Sequence, residues 1–253
     1  MKISVVTAVF NRADTIGEAI KSVRAQNYAD VEHIIQDGGS SDGTFEIVRE
    51  AAGDSVKIVS EKDGGIYDAI NRGICRASGN VIGLMHSDDF FASAAVLGKV
   101  ADAFSDPLVD GVYGDLQYVA EDNPGTVVRH WCAGEFTQAK LRRGWMPPHP
   151  TLYLRREVFD KFGLYDTSFR IAADYDAMLR YMTKGQIVLA YVPEVMVRMR
   201  LGGESNRSLE SIWKKSCEDY RAIRRNKVGG IGTLAAKNFR KLGQFIVGDR
   251  AAK

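Results

Sequence analysis

Val81-Ile82-Gly83-Leu84-Met85-His86-Ser87-Asp88-Asp89 (residues 81–89) sets a short apolar run directly before a polar cluster that ends in two adjacent carboxylates. Such a run reads as a buried parallel strand, with the acids at its carboxyl end. The pattern recurs upstream. Ile3 to Phe10 (ISVVTAVF) runs into Asn11-Arg12, His33-Ile34-Ile35 into the loop Asp37-Gly38-Gly39-Ser40-Ser41-Asp42-Gly43, and Val56 to Val59 toward Asp63-Gly64-Gly65. Helical spacings lie between these strands. Ile16, Ala19, Ile20 and Val23 follow a capping Asp14 or Thr15; Phe45, Ile47 and Val48 open a second helix; Ile70 and Ile74 stand one turn apart in a third, over 67–76. Strand alternating with helix builds an α/β fold, a mostly parallel sheet flanked by helices. Ligands of such sheets bind beyond the carboxyl ends of the strands, where all four polar clusters fall.

The chain is long enough, at 253 residues, to bury a full core, and its 45% hydrophobic and 26% charged content is that of a globular protein. A net charge of +2 gives no global argument for nucleic acid. Cys75, Cys132 and Cys217 are odd in number and far apart, which fits neither a disulfide framework nor a zinc cluster and suits a reducing cytoplasm. The start of the chain lacks a cleavable signal pattern, and no apolar run nears the roughly 18–20 residues of a membrane span. The expected location is cytoplasmic, or peripheral on the inner face of the cell membrane.

The second half is less regular. Strands are expected over 112–115 and 126–131, a rigid extended connector at Met146-Pro147-Pro148-His149-Pro150, a strand over 151–154 and a helix over 156–162. A helix over 173–183 turns Ala177, Met178, Tyr181 and Met182 inward. After Leu201-Gly202-Gly203, a long amphipathic helix carries Leu209, Ile212, Trp213, Tyr220 and Ile223 on one side.

The polar clusters have competing readings. Asp88-Asp89 places hard oxygen ligands where a phosphate-bearing molecule and Mg²⁺ or Mn²⁺ would sit, with His86 within reach of the ion; the alternative is a helix N-cap. The 37–44 loop is a ligand cradle or an ordinary polar turn. It is no calcium loop, lacking the later glutamate, and no P-loop, lacking Gly-Lys-Ser/Thr. No G-x-G-x-x-G follows the first strand, so a dinucleotide oxidoreductase is excluded.

Taken in order, Ile3 to Asn11, Asp37 to Thr44, Asp63 to Asn71, Gly79 to Asp89 and Gly163 to Arg180 resemble the motifs of family 2 glycosyltransferases. The resemblance covers about residues 3–205. It implies a GT-A type, Rossmann-like domain over 1–205, with a nucleotide-binding half to about 115 and an acceptor half over 116–205, and a C-terminal helical extension over 206–253. It also implies a nucleotide-sugar donor, inversion at the anomeric carbon, and Mg²⁺ or Mn²⁺ as cofactor. Thr7, Asn11, Arg12, Asp37, Asp63, Asp88 and Asp89 fall in the donor-binding motifs, and Asp174 stands at the catalytic base. Three positions depart from the pattern. Gly38 stands for a second aspartate, His86 for the first acid of the DxD metal motif, and Ala173 for the glutamate before the base. With His86 there, the implied metal leans on Asp88 and the donor's phosphates.

Other candidates keep two readings each. Asp174 is the base or a surface acid at a helix start. His149 lines an acceptor pocket or makes a structural hydrogen bond. Trp145 and Trp131 stack on an acceptor sugar or simply pack. Asp115 faces the donor sugar or is a turn carboxylate. Arg198 and Arg200 close over a diphosphate or form a solvated strand edge. The tail is basic: Lys227, Lys237, Arg240, Lys241, Arg250 and Lys253 stand against Asp249 alone from 226 onward. With Leu234, Phe239, Leu242, Phe245 and Ile246 it reads as a membrane-surface helix or as an interface with the body or a second copy in a homo-oligomer. Expected partners are a nucleotide sugar and a glycan or lipid-linked acceptor in bacterial surface-polysaccharide assembly. The rival is a non-catalytic nucleotide-sugar-binding protein of the same fold.

Overall fold

Four parallel strands form one side of the sheet. β1 (Ile3–Val9), β2 (Val31–Asp37), β3 (Val56–Ser60) and β4 (Val81–Leu84) lie in the order β3-β2-β1-β4. The computed structural model describes residues 1–53, 56–201 and 209–246. Every residue of β1 is buried, because helices cover both faces of the sheet. On one face α1 (Ile16–Arg24) and α2 (Thr44–Ala52) bury Ile16, Ile20, Val23 and Val48 against Ile3, Val5 and Val9. On the other, α3 (Ile66–Arg76) lays Ala69, Ile70 and Ile74 on Val6 and Ala8. Sequence periodicity and burial agree in this half.

Beyond β4 the sheet becomes mixed. Of the remaining elements, β6 (Gly111–Val119) is the hub. It pairs antiparallel with β8 (Tyr153–Arg155), which in turn lies antiparallel on β4. Further along, β7 (Val127–Trp131) is antiparallel to β6, and β9 (Leu189–Arg200) runs parallel to it. The two-residue β5 (Phe90–Phe91) closes on the end of β9. Gly83 marks the join: a Cβ there would lie 2.1 Å from the ring of Tyr153 in β8. The helices α4 (Val96–Ala103), α5 (Gln138–Arg142), α6 (Arg156–Phe162), α7 (Ala173–Arg180), α8 (Leu209–Arg225) and α9 (Ile231–Ile246) complete the fold.

Several elements differ from the sequence reading. The twelve-residue β9 is the largest omission; Pro193-Glu194 interrupts its apolar pattern, and its register against β6 shifts at Gly114/Asp115. The proline-rich connector ends in a 3-10 turn over His149–Thr151, because Pro150 suits the first positions of a helical turn. The α-helix expected over 173–183 stops at Arg180 and continues as a π turn, Tyr181–Gly185. On α8 the expected side is covered only toward the C-terminal end of the helix. Ile212 and Trp213 are exposed, while Ile223, of that same side, is buried together with Asp219 and Ala222. The domain boundary expected at 205/206, Gly202-Gly203, Asp249, Arg250 and Lys253 lie outside the described residues, as do the side chains of Leu209, Lys241, Leu242, Phe245 and Ile246.

Candidate active site

The ends of β1 and β2 are bound into one frame. Asp37 is fully buried. Its carboxylate accepts the N–H groups of Gly39 (3.2 Å) and Ser40 (3.1 Å) and the hydroxyls of Ser40 and Ser60. Asn11, in the left-handed region at φ 49°, donates its N–H to Ser40 Oγ (2.8 Å) and accepts Ser41 N–H at Oδ1 (3.0 Å). Arg12 N–H bonds Thr44 Oγ1 at 2.8 Å, and Ala13 N–H bonds Asp42 at 3.2 Å. The loop is therefore set before any ligand arrives. Asp37 holds it from within, its oxygens already engaged.

Thr7 requires a correction. It is fully buried in β1, with its hydroxyl 3.0 Å from His33 Nε2, so it supports the sheet and presents nothing to a donor. Asp63 does reach the loop. A Cβ on Gly38 would sit 2.7 Å from Asp63 Oδ2, while Asp63 Oδ1 accepts Gly65 N–H at 2.8 Å. The absence of a side chain at 38 is what gives the Asp63 carboxylate its place.

His86 to Asp89 form a turn closed by Asp89 N–H to His86 O (3.2 Å), leading into β5. No helix starts there, which disposes of the N-cap reading. Asp89 is fully buried. Its Oδ1 accepts Arg200 N–H (3.2 Å), and its Oδ2 has no partner among the described residues. Burial, and then the Asp88 charge, push the Asp89 carboxyl well above the usual carboxylate range. Arg200 donates to the Asp88 carbonyl (3.0 Å) and pairs with Glu18. It braces the turn rather than closing over a diphosphate. His86 and Asp88 remain partly open to solvent. Burial lowers the His86 pKa, against the pull of Asp88 and Asp174, which favours the neutral imidazole.

Asp174 is the second residue of α7, with its side chain a quarter exposed. The Tyr67 hydroxyl, from α3, lies 3.1 Å from Asp174 Oδ1 and 2.7 Å from Ile171 O. His149 Nδ1 is 4.0 Å from Asp174 Oδ2, and His149 Nε2 is 2.9 Å from the Tyr165 hydroxyl. Asn71 fixes Tyr165 through both backbone groups, at 2.8 and 3.0 Å. The His86 and His149 rings are 5.8 Å apart, so the carboxylate turn and the Asp174 cluster meet through two imidazoles. Burial pushes His149 down to about 4, which makes it a neutral hydrogen-bonding group in this cluster.

Two expected contacts are absent from this cluster. Trp145 is buried in the core, edge-on to Tyr113, with Nε1–H bonded to Ala133 O at 2.8 Å, so it packs and cannot stack on a sugar. Asp115 is buried too, with Oδ1 taken by Ala133 N–H (2.8 Å) and Tyr191 O–H (2.7 Å).

Helix α8 holds the segment that leads into Asp174. Glu218 accepts three consecutive N–H groups, from Arg170 (3.0 Å), Ile171 (2.8 Å) and Ala172 (2.9 Å). Arg221 bonds Ser168 Oγ at 3.0 Å, Arg225 pairs with Asp166, and Asn226 bonds Asp176 at 2.9 Å. From α9, Lys237 is buried, pairs with Asp219 at 2.5 Å and lies 3.4 Å from the centre of the Tyr175 ring. This corrects the basic face assigned to the tail, because Lys237 points into the protein. Sequence reasoning missed Tyr67, Tyr165 and Glu218; the first two sit inside motifs it quoted, and nothing local marks the third.

The chain matches glycosyl transferase family 2 over residues 4–171. An uncharacterized glycosyltransferase of Mycobacterium tuberculosis is 34% identical over 180 residues, covering 70% of this chain and 68% of that relative. A PGL/p-HBAD biosynthesis glycosyltransferase of Mycobacterium bovis is 29% identical over 208 residues, 80% of this chain and 78% of its own length. Among solved structures, Staphylococcus aureus TarS 1–349 in complex with UDP-GlcNAc superposes with a TM-score of 0.69 at 18% identity, over 90% of this chain and 66% of that one. The mannosyltransferase PcManGT of Pyrobaculum calidifontis, in complex with GDP-Man and Mn²⁺, gives 0.66 at 17% identity, over 100% and 76%. The likeness to both is one of fold. The chain belongs to glycosyl transferase family 2, and it is a nucleotide-sugar-dependent glycosyltransferase with the GT-A fold.

Proposed function

We propose that the protein moves a hexosyl group, with inversion, from a nucleoside-diphosphate sugar (a UDP-sugar first) to a hydroxyl of a glycan or lipid-linked acceptor, with Asp174 as the base. The observation that carries this is the juxtaposition of a partly exposed carboxylate, Asp174, with the His86–Asp88 turn through His149. The acceptor proton passes to Asp174 as its oxygen attacks the anomeric carbon, which gains oxocarbenium character. Tyr67 holds Oδ1, which leaves Oδ2 toward His149. The Asn11–Arg12 and 37–44 frame, with Asp63, takes the nucleoside side of the donor.

The residues present fit a divalent ion. Among the described residues no donor occupies the Asp88 carboxylate, and the His86 imidazole is neutral. One carboxylate, one imidazole and the donor's phosphates form a reasonable Mn²⁺ or Mg²⁺ set. When bound, the ion offsets the charge developing on the leaving diphosphate. The Mn²⁺ and GDP-Man held by PcManGT, and the UDP-GlcNAc held by TarS, support this choice of ligand classes.

The lipid-linked class of acceptor rests on the family resemblance and on exposed apolar side chains in the C-terminal helices. Trp213, Ile212, Ile231 and Phe239 are exposed there, and Arg240 stands beside Phe239. Such a surface suits contact with an anionic membrane face, the proposed site of action in bacterial polysaccharide or lipopolysaccharide assembly. No helix among the described residues is long and apolar enough to cross a membrane. Thermal unfolding with UDP-, GDP- and dTDP-sugars, each with Mn²⁺ or Mg²⁺, tests the donor reading, since binding to the native state raises Tm. The account expects one nucleotide class to stand out; no shift with any donor contradicts it.

A further inference from the structure

The cysteines read alone offer no metal cluster, yet the strand register brings one of them to two other ligands. β6 and β7 pair Leu116 with Trp131 and Gln117 with His130. Continued by one step, that register sets Asp115 opposite Cys132. Residues opposite one another in an antiparallel pair share a face, and so do residues two apart along a strand. Asp115, His130 and Cys132 therefore converge on one side of the sheet. A carboxylate oxygen, a ring nitrogen and the sulfur all lie within 4.8 Å of one another.

The Cys132 thiol is hydrogen-bonded to Asp115, and burial followed by the Asp115 charge raises its pKa, so an ion bound here displaces the thiol proton. Asp115 Oδ1 is engaged by Ala133 N–H and Tyr191 O–H, which fixes the carboxylate with Oδ2 turned toward His130. This is how outer-shell donors orient ligating carboxylates. His130 Nε2 is buried and has no hydrogen-bond partner. It faces Asp115 Oδ2 at 3.7 Å, too far for a hydrogen bond. Two ligands of one tetrahedral ion, with bonds of about 2.0 Å, stand roughly 3.3 Å apart. The pair thus needs only a small closure to share a cation.

We propose that Asp115, His130 and Cys132 bind Zn²⁺, or another borderline-soft divalent ion, at a site separate from the donor turn. Thiolate and imidazole select Zn²⁺ over Mg²⁺ and Mn²⁺, which prefer all-oxygen surroundings. The exposed position of Cys132 leaves the fourth place to water. The ion would fasten the end of β7, and with it Ala133, to the central strand; Ala133 O is the acceptor for the Trp145 indole. None of this depends on the glycosyl-transfer reading.

Cobalt(II) provides the test, because a Cys–Co²⁺ bond gives a charge-transfer absorption that oxygen ligands do not. The full chain, stripped with a chelator and titrated with Co²⁺ in the presence of excess Mg²⁺, is expected to develop that band with one equivalent bound. Cys132→Ser abolishes it, His130→Ala weakens Co²⁺ binding roughly tenfold or more, and Asp88→Asn leaves it intact. Circular dichroism confirms that each variant is folded; the serine replaces an exposed, near-isosteric side chain. A wild-type chain without the band, or a Cys132→Ser chain that retains it through Cys75 or Cys217, overturns the proposal.

Discussion

The Tyr67 hydroxyl lies 3.1 Å from Asp174 Oδ1 across 107 residues of chain, and the same hydroxyl lies 2.7 Å from Ile171 O. One side chain from α3 thus reaches both the proposed base and the loop that carries it. Tyr67→Phe is expected to keep donor-induced thermal stabilisation and to lower kcat roughly tenfold, with a stability loss of about 1 kcal/mol for the lost hydrogen bond. Steady-state kinetics beside a thermal melt checks this; a fall in donor affinity with kcat unchanged argues against it.

Glu218 does from the C-terminal side what Tyr67 does from the N-terminal side. Its carboxylate takes three successive N–H groups just ahead of α7. Glu218→Ala leaves them unpaired and is expected to cost about 2–3 kcal/mol of stability. Below the new Tm, kcat falls further than donor KM changes, and Glu218→Gln, which keeps one acceptor oxygen, recovers part of both. Equal loss in the alanine and glutamine variants contradicts this role.

Gly38 makes room for Asp63. Because a Cβ would come within 2.7 Å of Asp63 Oδ2, Gly38→Ala displaces that carboxylate. The account expects donor nucleotide affinity to drop about tenfold, or ~1.4 kcal/mol, with little change in Tm. Calorimetric titration with the nucleoside diphosphate measures it. Unchanged affinity removes Asp63 from the nucleoside side.

Buried histidines make stability depend on pH. Burial lowers His33 from 6.5 to about 4 in the folded chain. Between those values the unfolded chain binds the proton and the folded one does not, so stability is complete above about 6.5 and drains away as pH falls toward 4. The loss for His33 is on the order of 3 kcal/mol. His149, also held to about 4, acts with the same sign. Denaturant melts from pH 7 to 4 should show this slope, and His33→Gln should flatten it. A wild-type slope unchanged by the substitution contradicts the assignment.

The first four strands were legible because apolar residues dominate β1 and β4 and give way to polar ones at their ends, as at Ile3–Val9 and Val81–Leu84, whereas in β2 and β3 only Ile34-Ile35 and Val56 to Val59 carry that signal. The frame residues Asn11, Asp37 and Asp63, the His86–Asp88 turn and Asp174 could be named from their motifs. The second half of the chain was less legible for physical reasons. β9 is half-buried, broken by Pro193-Glu194 and closed by Arg200, which serves as a brace. Trp145 and Thr7 look like ligand contacts in sequence, and only packing reveals them as core. Glu218, Tyr165 and the partners of Lys237 depend on contacts between distant segments, which no local spacing encodes.

The central claim is that donor binding and proton removal are housed separately, the first around Asp88 and the second at Asp174. The most direct measurement compares wild type with Asp174→Asn in two readouts: thermal shift with the preferred nucleotide sugar and metal, and release of nucleoside diphosphate with a membrane extract as the source of acceptor. The account predicts an unchanged shift and release reduced at least about a hundredfold. Release near the wild-type rate by Asp174→Asn would contradict it.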